Sequence, residues 1–387
     1  RLSVRAVDIS FLVIVVIVTA LVFDFTNGFH DTANAMATSI ATGALRPKVA
    51  VAICAVLNLA GAFLSTAVAK TISGGLVDET RVTPAIIFGG LVGAIVWNLV
   101  TWLAGLPSSS SHALFGGLVG AVFVAAGSGA VHFDAVVSKI LLPALASPLV
   151  AGLVALLATS AIYRIVRRSR RSSVQRGFRA GQTVSASLVS LAHGTGDAQK
   201  TMGIITLVLI TAGALPADAG PPVWVIVAAG LAIAAGTYAG GWRIIRTMGK
   251  GLTDIEAPQG FAAETSSTAV LLASSHLGFA LSTTHVCAGG ILGAGLGRRR
   301  AQVRWTLAGR MAMAWLVTLP MAALVGGVAA KVASTGNAGV AVVAALALLA
   351  VAAIYRHSRR QPVTADNVNG VPAPAVELAA SVPAVAA

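Results

Sequence analysis

Two short segments place an acidic residue within an apolar stretch. Asp31 follows Asn27-Gly-Phe-His30, and Asp197 follows His193-Gly-Thr-Gly196. A carboxylate inside a membrane segment costs about 3 kcal/mol or more, so it usually faces a cavity and a charged partner. We therefore expect a coupling cation as the partner of these acids.

The residue one helical turn after each acid differs between the two segments. Asn34, after Asp31, can add a neutral oxygen ligand, which suits a hard cation. Lys200 occupies the matching place after Asp197 and can supply a built-in ammonium instead of a bound cation. We expect all four residues to form coupling-ion sites in which the two segments are unequal.

Runs of hydroxyl side chains interrupt two long charge-free stretches. Pro107 stops a helix, and the serines after it are preferred N-caps for a new helix near His112; Gly278 begins a similar break later in the chain. Two helix N-termini with hydroxyls and free amides suit a compact anion with several acceptor oxygens, such as phosphate. A lone run more often caps or bridges helices, but the duplication favours an anion site. Its candidate residues are Ser108, Ser109, Ser110, Ser111, Ser282, Thr283 and Thr284.

Other ionisable residues lie in or near these motifs. Four histidines fall within them, and a side chain that titrates near neutrality beside an anion site can serve proton coupling; packing of neutral imidazoles is the alternative. Glu264 is either a helix N-terminal acid near the membrane surface or a cavity-facing carboxylate. The histidines are His30, His112, His193 and His285.

The elements that must position these residues are membrane helices. Of the 387 residues, 56% are apolar and 10% charged, against about 25% charged in soluble proteins. One crossing needs roughly 20 apolar residues. We expect an all-α, polytopic protein of the plasma membrane with about 10–12 transmembrane segments in contact with lipid. Single charge-free stretches lie between Lys48 and Lys70, Lys139 and Arg164, Asp218 and Arg243, Arg310 and Lys331, and Lys331 and Arg356, and longer ones at 82–133 and 265–297.

The basic residues indicate orientation rather than a nucleic-acid partner. The formal charge is +14, but the arginines bunch at segment ends, as the positive-inside rule predicts. Cys54 and Cys287 have no metal-ligand spacing, and we interpret them as packing residues. We expect no nucleic-acid partner, resident metal, cofactor or catalytic residue; the oligomeric state, a homodimer included, stays open.

The chain contains an internal duplication. Asp31-Thr-Ala-Asn-Ala-Met36 is echoed by Asp197-Ala-Gln-Lys-Thr-Met202, and Ser109-Ser-Ser-His112 by Ser282-Thr-Thr-His285 in the same order. Counting crossings from a basic cytoplasmic linker makes the second half start inside and the first outside, which predicts an inverted repeat with discontinuous helices. The predicted units are a first repeat at 1–163, the linker at 164–179, a second repeat at 180–355, and a basic then disordered tail at 356–387.

These motifs resemble those of a known family. The segments Asn27–Ala35 and His193–Lys200 are similar to the paired signatures of the inorganic phosphate transporter (PiT) family, and the two Ser/Thr-His runs look like its substrate-site motifs. Arg243–Thr253 and Gly260–Glu264 are similar to its second half, so the resemblance spans nearly the whole membrane region.

The resemblance implies a secondary transporter that imports phosphate, with Asp31 and Asp197 at ion sites and the Ser/Thr runs around phosphate. It also implies that Glu264 is functional, as a cavity-facing carboxylate at a coupling-ion site. The family often has Asn before each signature Asp, where this chain has His30 and Gly196. This form looks like the low-affinity bacterial branch, which is proton-coupled and carries phosphate partly as neutral complexes with a divalent metal. We therefore favour H⁺ over Na⁺ as the coupling ion.

Three other functions stay open at this point. Hydroxyls at helix N-termini do not distinguish oxyanions by their charge, so another oxyanion such as sulfate is an alternative substrate. An intramembrane hydrolase could use Ser, His and Asp, but the chain has no Gly-x-Ser-x-Gly motif. A channel is the third alternative, although broken helices with buried polar sites suit alternating access better.

Overall fold

The computed structural model describes residues 11–69, 75–277, 279, 281–299 and 302–370. Within these ranges the backbone is helical, and its β-pairings are two isolated bridges, Val77 with Val131 and Thr253 with Val303. This confirms the all-α prediction. In the first half the main helices are α1 (Phe11–Ala41), α2 (Pro47–Gly61), α3 (Pro84–Leu103), α4 (Ser110–Ala126) and α5 (Leu142–Ile165).

The second half of the described chain has a similar order of long and short helices, with Trp242–Arg246 and Asn337–Ser358 in addition. A basic connection leads from α5 into the longest helix of the protein. The helices are α6 (Arg171–Thr211), α7 (Val223–Ala239), α8 (Trp242–Arg246), α9 (Ala257–His276), α10 (Thr283–Leu296), α11 (Trp305–Ala333) and α12 (Asn337–Ser358).

The predicted helix breaks are present. In the first half, α3 ends at Leu103, and Gly105 takes a φ of 66°, a left-handed conformation that favours glycine. The chain restarts as α4 at Ser110. In the second half, α9 ends at His276 and α10 begins at Thr283. Gly278, which we expected to open the second break, lies outside the described residues.

Many of the helices are suited to a membrane. Among the described residues, five segments are long and apolar enough to cross one, and α7 with α8 and the turn after it make a sixth that bends by 60°. α6 and α9 carry buried polar side chains that lower their hydropathy. The multi-span fold is confirmed, while the number of 10–12 crossings stays a prediction. The five segments are Phe11–Ala41, Pro84–Leu103, Phe133–Arg168, Trp305–Ala333 and Asn337–Ser358.

The two halves exchange packing partners. α1 packs on α7 while α6 packs on α2, and α4 packs on α11 while α10 packs on α5. Such an exchange is expected of two repeats related by a two-fold axis, and it supports the predicted duplication. The inverted relation and the unit boundaries stay predictions.

Glycines allow the two signature helices to approach their partners. A Cβ at Gly28 in α1 would lie 2.2 Å from the carbonyl oxygen of Ile233 in α7, and one at Gly194 in α6 would lie 2.2 Å from that of Asn58 in α2. Small residues commonly permit this closeness between membrane helices. The contacts hold α1 against α7 and α6 against α2, and the signature acids on α1 and α6 are buried.

The chain after α12 is attached to the second half. Arg243 donates hydrogen bonds to the carbonyl oxygens of Ser358 (2.9 Å) and Gln361 (2.6 Å), and Arg246 donates to that of Asn367 (2.9 Å). Val368 is buried. Residues 361–370 therefore differ from the disordered tail that we expected, because α8 arginines bind their backbone. Residues 371–387 lie outside the described ranges.

Candidate functional site

The two signature acids meet between α1 and α6. Asp31 and Asp197 are almost wholly buried, at 1% and 0% exposure. One oxygen of each and a ring nitrogen of His193 all lie within 4.8 Å of one another. The structure thus brings together residues that are far apart in sequence, as the duplication suggested.

Hydroxyl groups from both helix breaks surround Asp31. The Ser110 hydroxyl donates to Asp31 Oδ2 at 2.6 Å, and the Thr283 hydroxyl lies 3.3 Å from the same oxygen. The Thr284 hydroxyl lies 3.5 Å from Oδ1. His30 Nδ1 is 2.7 Å from Oδ1. Among the described residues, Asp31 therefore has one imidazole and several neutral donors around it, but no fixed cation.

Asp197 has a permanent cation beside it. The Lys200 ammonium forms an ion pair with Asp197 Oδ1 and donates to the Ser111 hydroxyl at 2.5 Å. His193 Nε2 lies 3.2 Å from Asp197 Oδ2, and the Thr283 hydroxyl lies 3.3 Å from that oxygen. Thr283 thus contacts both acids, one from each half of the chain.

Asn34 joins the same cluster. Its side-chain nitrogen donates to the hydroxyls of Thr283 at 3.2 Å and Thr284 at 3.1 Å. Its side-chain oxygen is buried without a hydrogen-bond partner among the described residues. The sequence predicts this oxygen as a neutral ligand for a hard cation, and that role stays a prediction.

The seven predicted hydroxyl residues divide into three groups. Ser109 and Ser282 accept hydrogen bonds from the backbone amides of His112 and His285, so they are the N-caps of α4 and α10. Ser108 bonds to the Thr101 hydroxyl at 2.7 Å. The other four contact the acids, Asn34 or Lys200: Ser110, Ser111, Thr283 and Thr284.

The four predicted histidines also divide into pairs. His30 and His193 contact Asp31 and Asp197 respectively. His112 and His285, each three residues after its cap, pack edge to face with ring centroids 4.7 Å apart. The second pair joins the starts of the two short helices, α4 and α10.

Glu264 lies apart from the acid pair. Its carboxylate accepts hydrogen bonds from Thr38 at 2.6 Å, Ser39 at 2.7 Å and Gln182 at 3.1 Å, and also from Ser185. Thr38 is two turns beyond Asp31, about 10 Å along α1. Glu264 is thus a buried carboxylate with its own donors.

Sequence reasoning missed three buried polar residues. Asp24 and Asn27 lie on α1 before Asp31, and Thr201 follows Lys200 on α6. None of their side-chain oxygens has a hydrogen-bond partner among the described residues. The available signal was Asp24 itself, an acid two turns before Asp31 in an otherwise apolar stretch.

The polar cluster is tightly closed. A cavity of about 10 Å³ lies beside Asp197, Lys200 and Thr283, which is room for roughly one water molecule. The hydroxyls that would hold an anion are bonded to the acids instead. An anion must therefore compete with Asp31 and Asp197 for these donors.

The fold and this site together define a class of protein. Buried acids, an ammonium and hydroxyls at two helix starts lie inside a polytopic helical bundle, where such groups mark ion pathways. Discontinuous helices that meet at a buried polar site are typical of secondary transporters. The architecture is that of a membrane transporter.

Comparison with known proteins gives the family. The model of the phosphate transporter family matches residues 27–326. A probable low-affinity inorganic phosphate transporter of Mycobacterium tuberculosis (strain ATCC 25618 / H37Rv) is 57% identical over 362 residues, covering 93% of this chain and 87% of that protein. One of Bacillus subtilis (strain 168) is 41% identical over 320 residues, with 82% and 96% covered. This chain belongs to the phosphate transporter family.

A solved structure has the same fold. The sodium-dependent phosphate transporter superposes with a TM-score of 0.75 at 22% identity, covering 84% of this chain and all of that one. Membership of the family confirms the resemblance found in the motifs. It makes the protein a multi-pass transporter of the plasma membrane rather than an enzyme, with phosphate as the family's substrate, and it excludes the hydrolase alternative.

Proposed function

We propose that this protein imports inorganic phosphate by proton-coupled symport and binds it between the starts of α4 and α10. The observation that carries the proposal is the meeting of Ser110, Ser111, Thr283 and Thr284 at one buried cluster. Hydroxyls and free helix N-terminal amides donate to the several oxygens of phosphate. Lys200, whose ammonium donates to the Ser111 hydroxyl, adds a positive charge to the same cluster.

The acids require that positive charge accompanies the anion. Phosphate carries negative charge, and Asp31 already lies within the group of donors it would use. Bringing like charges together in a low-dielectric site is strongly unfavourable. A proton held by the His30–Asp31 pair, whose atoms are 2.7 Å apart, removes this repulsion. Phosphate and the proton are therefore expected to enter together.

A sodium-coupled mechanism is the alternative. The structurally similar protein is described as sodium-dependent, and the free Asn34 oxygen and the Asp31 carboxylate are ligands that suit a hard cation. A divalent metal that travels with phosphate as a neutral complex would find carboxylate and imidazole atoms at Asp31, His193 and Asp197. These versions differ in the ion that drives uptake, so they can be separated.

The test is radiolabelled phosphate uptake by the purified full-length protein in proteoliposomes. A pH gradient, acid outside, is imposed without sodium; a sodium gradient is imposed at equal pH; and Mg²⁺ is present or replaced by a chelator. The proposal expects uptake under the pH gradient and little competition from sulfate. Uptake driven only by the sodium gradient would make Na⁺ rather than H⁺ the coupling ion. Sulfate uptake equal to that of phosphate would contradict the assignment of phosphate as the substrate.

A further inference from the structure

A groove between α3 and α11 opens on the outer surface of the helix bundle. It has a volume of about 510 Å³, and Arg310 is the one charged residue among those that line it. The lining side chains of Val100 and Met313 are 42% and 58% exposed, on two helices that are long and apolar enough to cross a membrane. The groove therefore faces lipid.

The lining residues follow the same spacing on both helices. They recur at intervals of three and then four residues, so they share one face of each helix. Those residues are Trp97, Val100 and Ala104 on α3, and Arg310, Met313 and Val317 on α11. Each set spans seven residues, or about 10 Å along its helix. The groove is thus a straight apolar channel with a guanidinium at one end.

The two helices run antiparallel, which fixes the direction of the groove. A Cβ at Gly89 would lie 2.4 Å from the backbone nitrogen of Ala330, and one at Gly93 would lie 2.5 Å from that of Gly326. The Trp97 indole donates to the Thr318 hydroxyl at 3.0 Å, beside Val317. The charged end of the groove therefore lies where α3 ends and α11 begins.

The spacing of charges on α11 gives the depth of this end in the membrane. Arg310 and Lys331 are the two charged residues of the helix, and they are 21 positions apart, or about 31 Å. The hydrocarbon core of a bilayer is about 30 Å thick. Arg310 therefore lies at the level of the lipid headgroups, on the side of the basic segment Arg298–Arg304, which is predicted to be cytoplasmic.

The protein gives Arg310 no anionic partner within the described residues. Its side chain is exposed and makes no hydrogen bond or ion pair there. Neither α3 nor α11 contains an aspartate or a glutamate. A guanidinium pairs well with a phosphate group, and at the headgroup level the available phosphates are those of lipids. The charge of Arg310 thus complements a lipid headgroup, with the apolar channel directly below it.

We propose that this groove binds one anionic phospholipid, with its phosphate on Arg310 and the first part of one acyl chain between α3 and α11. Basic pockets between membrane helices commonly bind the headgroups of anionic lipids. A zwitterionic lipid carries its own ammonium, which competes with Arg310 for the phosphate. Ala104 and Leu106 also line the groove, so the lipid contacts the break between α3 and α4. The proposal does not depend on how phosphate is transported.

The test is lipid binding to the purified full-length protein in detergent, measured by native mass spectrometry. Phosphatidylglycerol and phosphatidylcholine with the same acyl chains are titrated separately. We expect the wild type to retain one phosphatidylglycerol at concentrations at which it retains no phosphatidylcholine. Arg310→Gln should weaken this binding about tenfold, as expected for one lost charge-assisted contact. Arg356→Gln, which removes an exposed arginine at the end of α12, should bind as the wild type does.

A second variant tests the groove without changing its charge. Gly309 lines the groove, and a Cβ there would meet no atom within 4 Å. Gly309→Leu therefore fits the fold, fills the open end and should also weaken phosphatidylglycerol binding. Equal binding of the two lipids, an equal loss in Arg356→Gln, or wild-type binding in Arg310→Gln or Gly309→Leu would overturn the proposal.

Two other occupants of the groove are distinguished in the same experiment. Inorganic phosphate has no acyl chain, so millimolar phosphate should not displace the lipid, and displacement would assign Arg310 to a free anion instead. A dimer that retains no lipid would assign the groove to a second copy of the chain. Either result would contradict the proposal.

Discussion

The two halves of the chain surround their signature acids differently. Asp197 is neutralised within the protein by Lys200, one turn away, whereas Asp31 has an imidazole and neutral hydroxyls around it. Asn34 takes the place of the lysine in the first half. In the proposed mechanism, one half carries a fixed charge and the other an exchangeable one. Coupling of phosphate to a cation should therefore depend on Asp31.

The fixed charge gives the largest predicted effect. Lys200→Met leaves Asp197 buried without a cation, and removal of one member of a buried ion pair costs about 3–5 kcal/mol. We expect a much lower thermal unfolding midpoint in detergent. The double variant Asp197→Asn/Lys200→Met should recover most of the loss, and Lys48→Met, at an exposed site, should behave as wild type. A stable single variant would contradict the idea of a fixed pair.

The exchangeable charge gives the next effect. Asp31→Asn keeps an acceptor for Ser110 but removes the negative charge that attracts a proton, so the fold should persist. A charge-assisted contact of about 1.5–3 kcal/mol corresponds to a drop of roughly 10–100-fold in phosphate uptake. Initial rates in proteoliposomes measure it, with Asp218→Asn at an exposed site as the control. Wild-type rates in Asp31→Asn would remove Asp31 from coupling.

Substitution of Thr283, which contacts the signature acids of both halves, should have a smaller effect. The Thr283 hydroxyl lies 3.3 Å from an oxygen of Asp31 and 3.3 Å from one of Asp197. Thr283→Val removes a donor to phosphate and should raise KM for uptake about tenfold, which is the loss of one hydrogen bond of about 1.4 kcal/mol. The exposed Thr335→Val is the matched control. An unchanged KM would place phosphate away from α10.

A surface ion pair gives the smallest effect and sharpens the contrast with Lys200. Glu256 lies 2.6 Å from Arg171 and 3.0 Å from Arg298. Partial burial raises the pKa of Glu256, but Arg298, with the hydrogen bonds from Tyr163 and Arg171, holds it below the ordinary value. Because the folded pKa is lowered, the stabilisation is present at neutral pH and is lost as pH falls below about 4.3.

Glu256→Gln should therefore lower stability by less than about 1 kcal/mol at pH 7, the usual size for a partly exposed pair. The difference from wild type should shrink towards pH 3. Unfolding midpoints across this pH range measure it. A loss at pH 7 as large as that of Lys200→Met, or a difference that grows in acid, would contradict the assignment of Glu256 as a surface partner.

Much of the site could be predicted because its signals are local and repeated. The acids, the caps at Ser109 and Ser282 and the one-turn spacing of Asp197 and Lys200 all follow from short motifs. The contact between His112 and His285 joins the two helix starts across the fold, and motif spacing alone does not determine such long-range packing. This contact is visible only in the three-dimensional structure.

Two further features depended on packing in the same way. Glu264 accepts hydrogen bonds from side chains on α1 and α6. Its separation from Asp31 depends on which turns of these helices face α9, and the sequence does not determine that. The bonds from Arg243 and Arg246 to the chain after α12 were also hidden, since the composition of that segment is typical of disorder. Asp24 could have been found, because a lone acid in an apolar helix is itself a signal.

The central claim is that Asp31 holds the exchangeable charge. The most direct test is the number of protons taken up when phosphate binds, measured by calorimetry of the purified protein in buffers of different ionisation enthalpy. We predict proton uptake by the wild type and by Asp197→Asn/Lys200→Met, and none by Asp31→Asn. Unchanged proton uptake in Asp31→Asn, or its loss only in the double variant, would contradict the account.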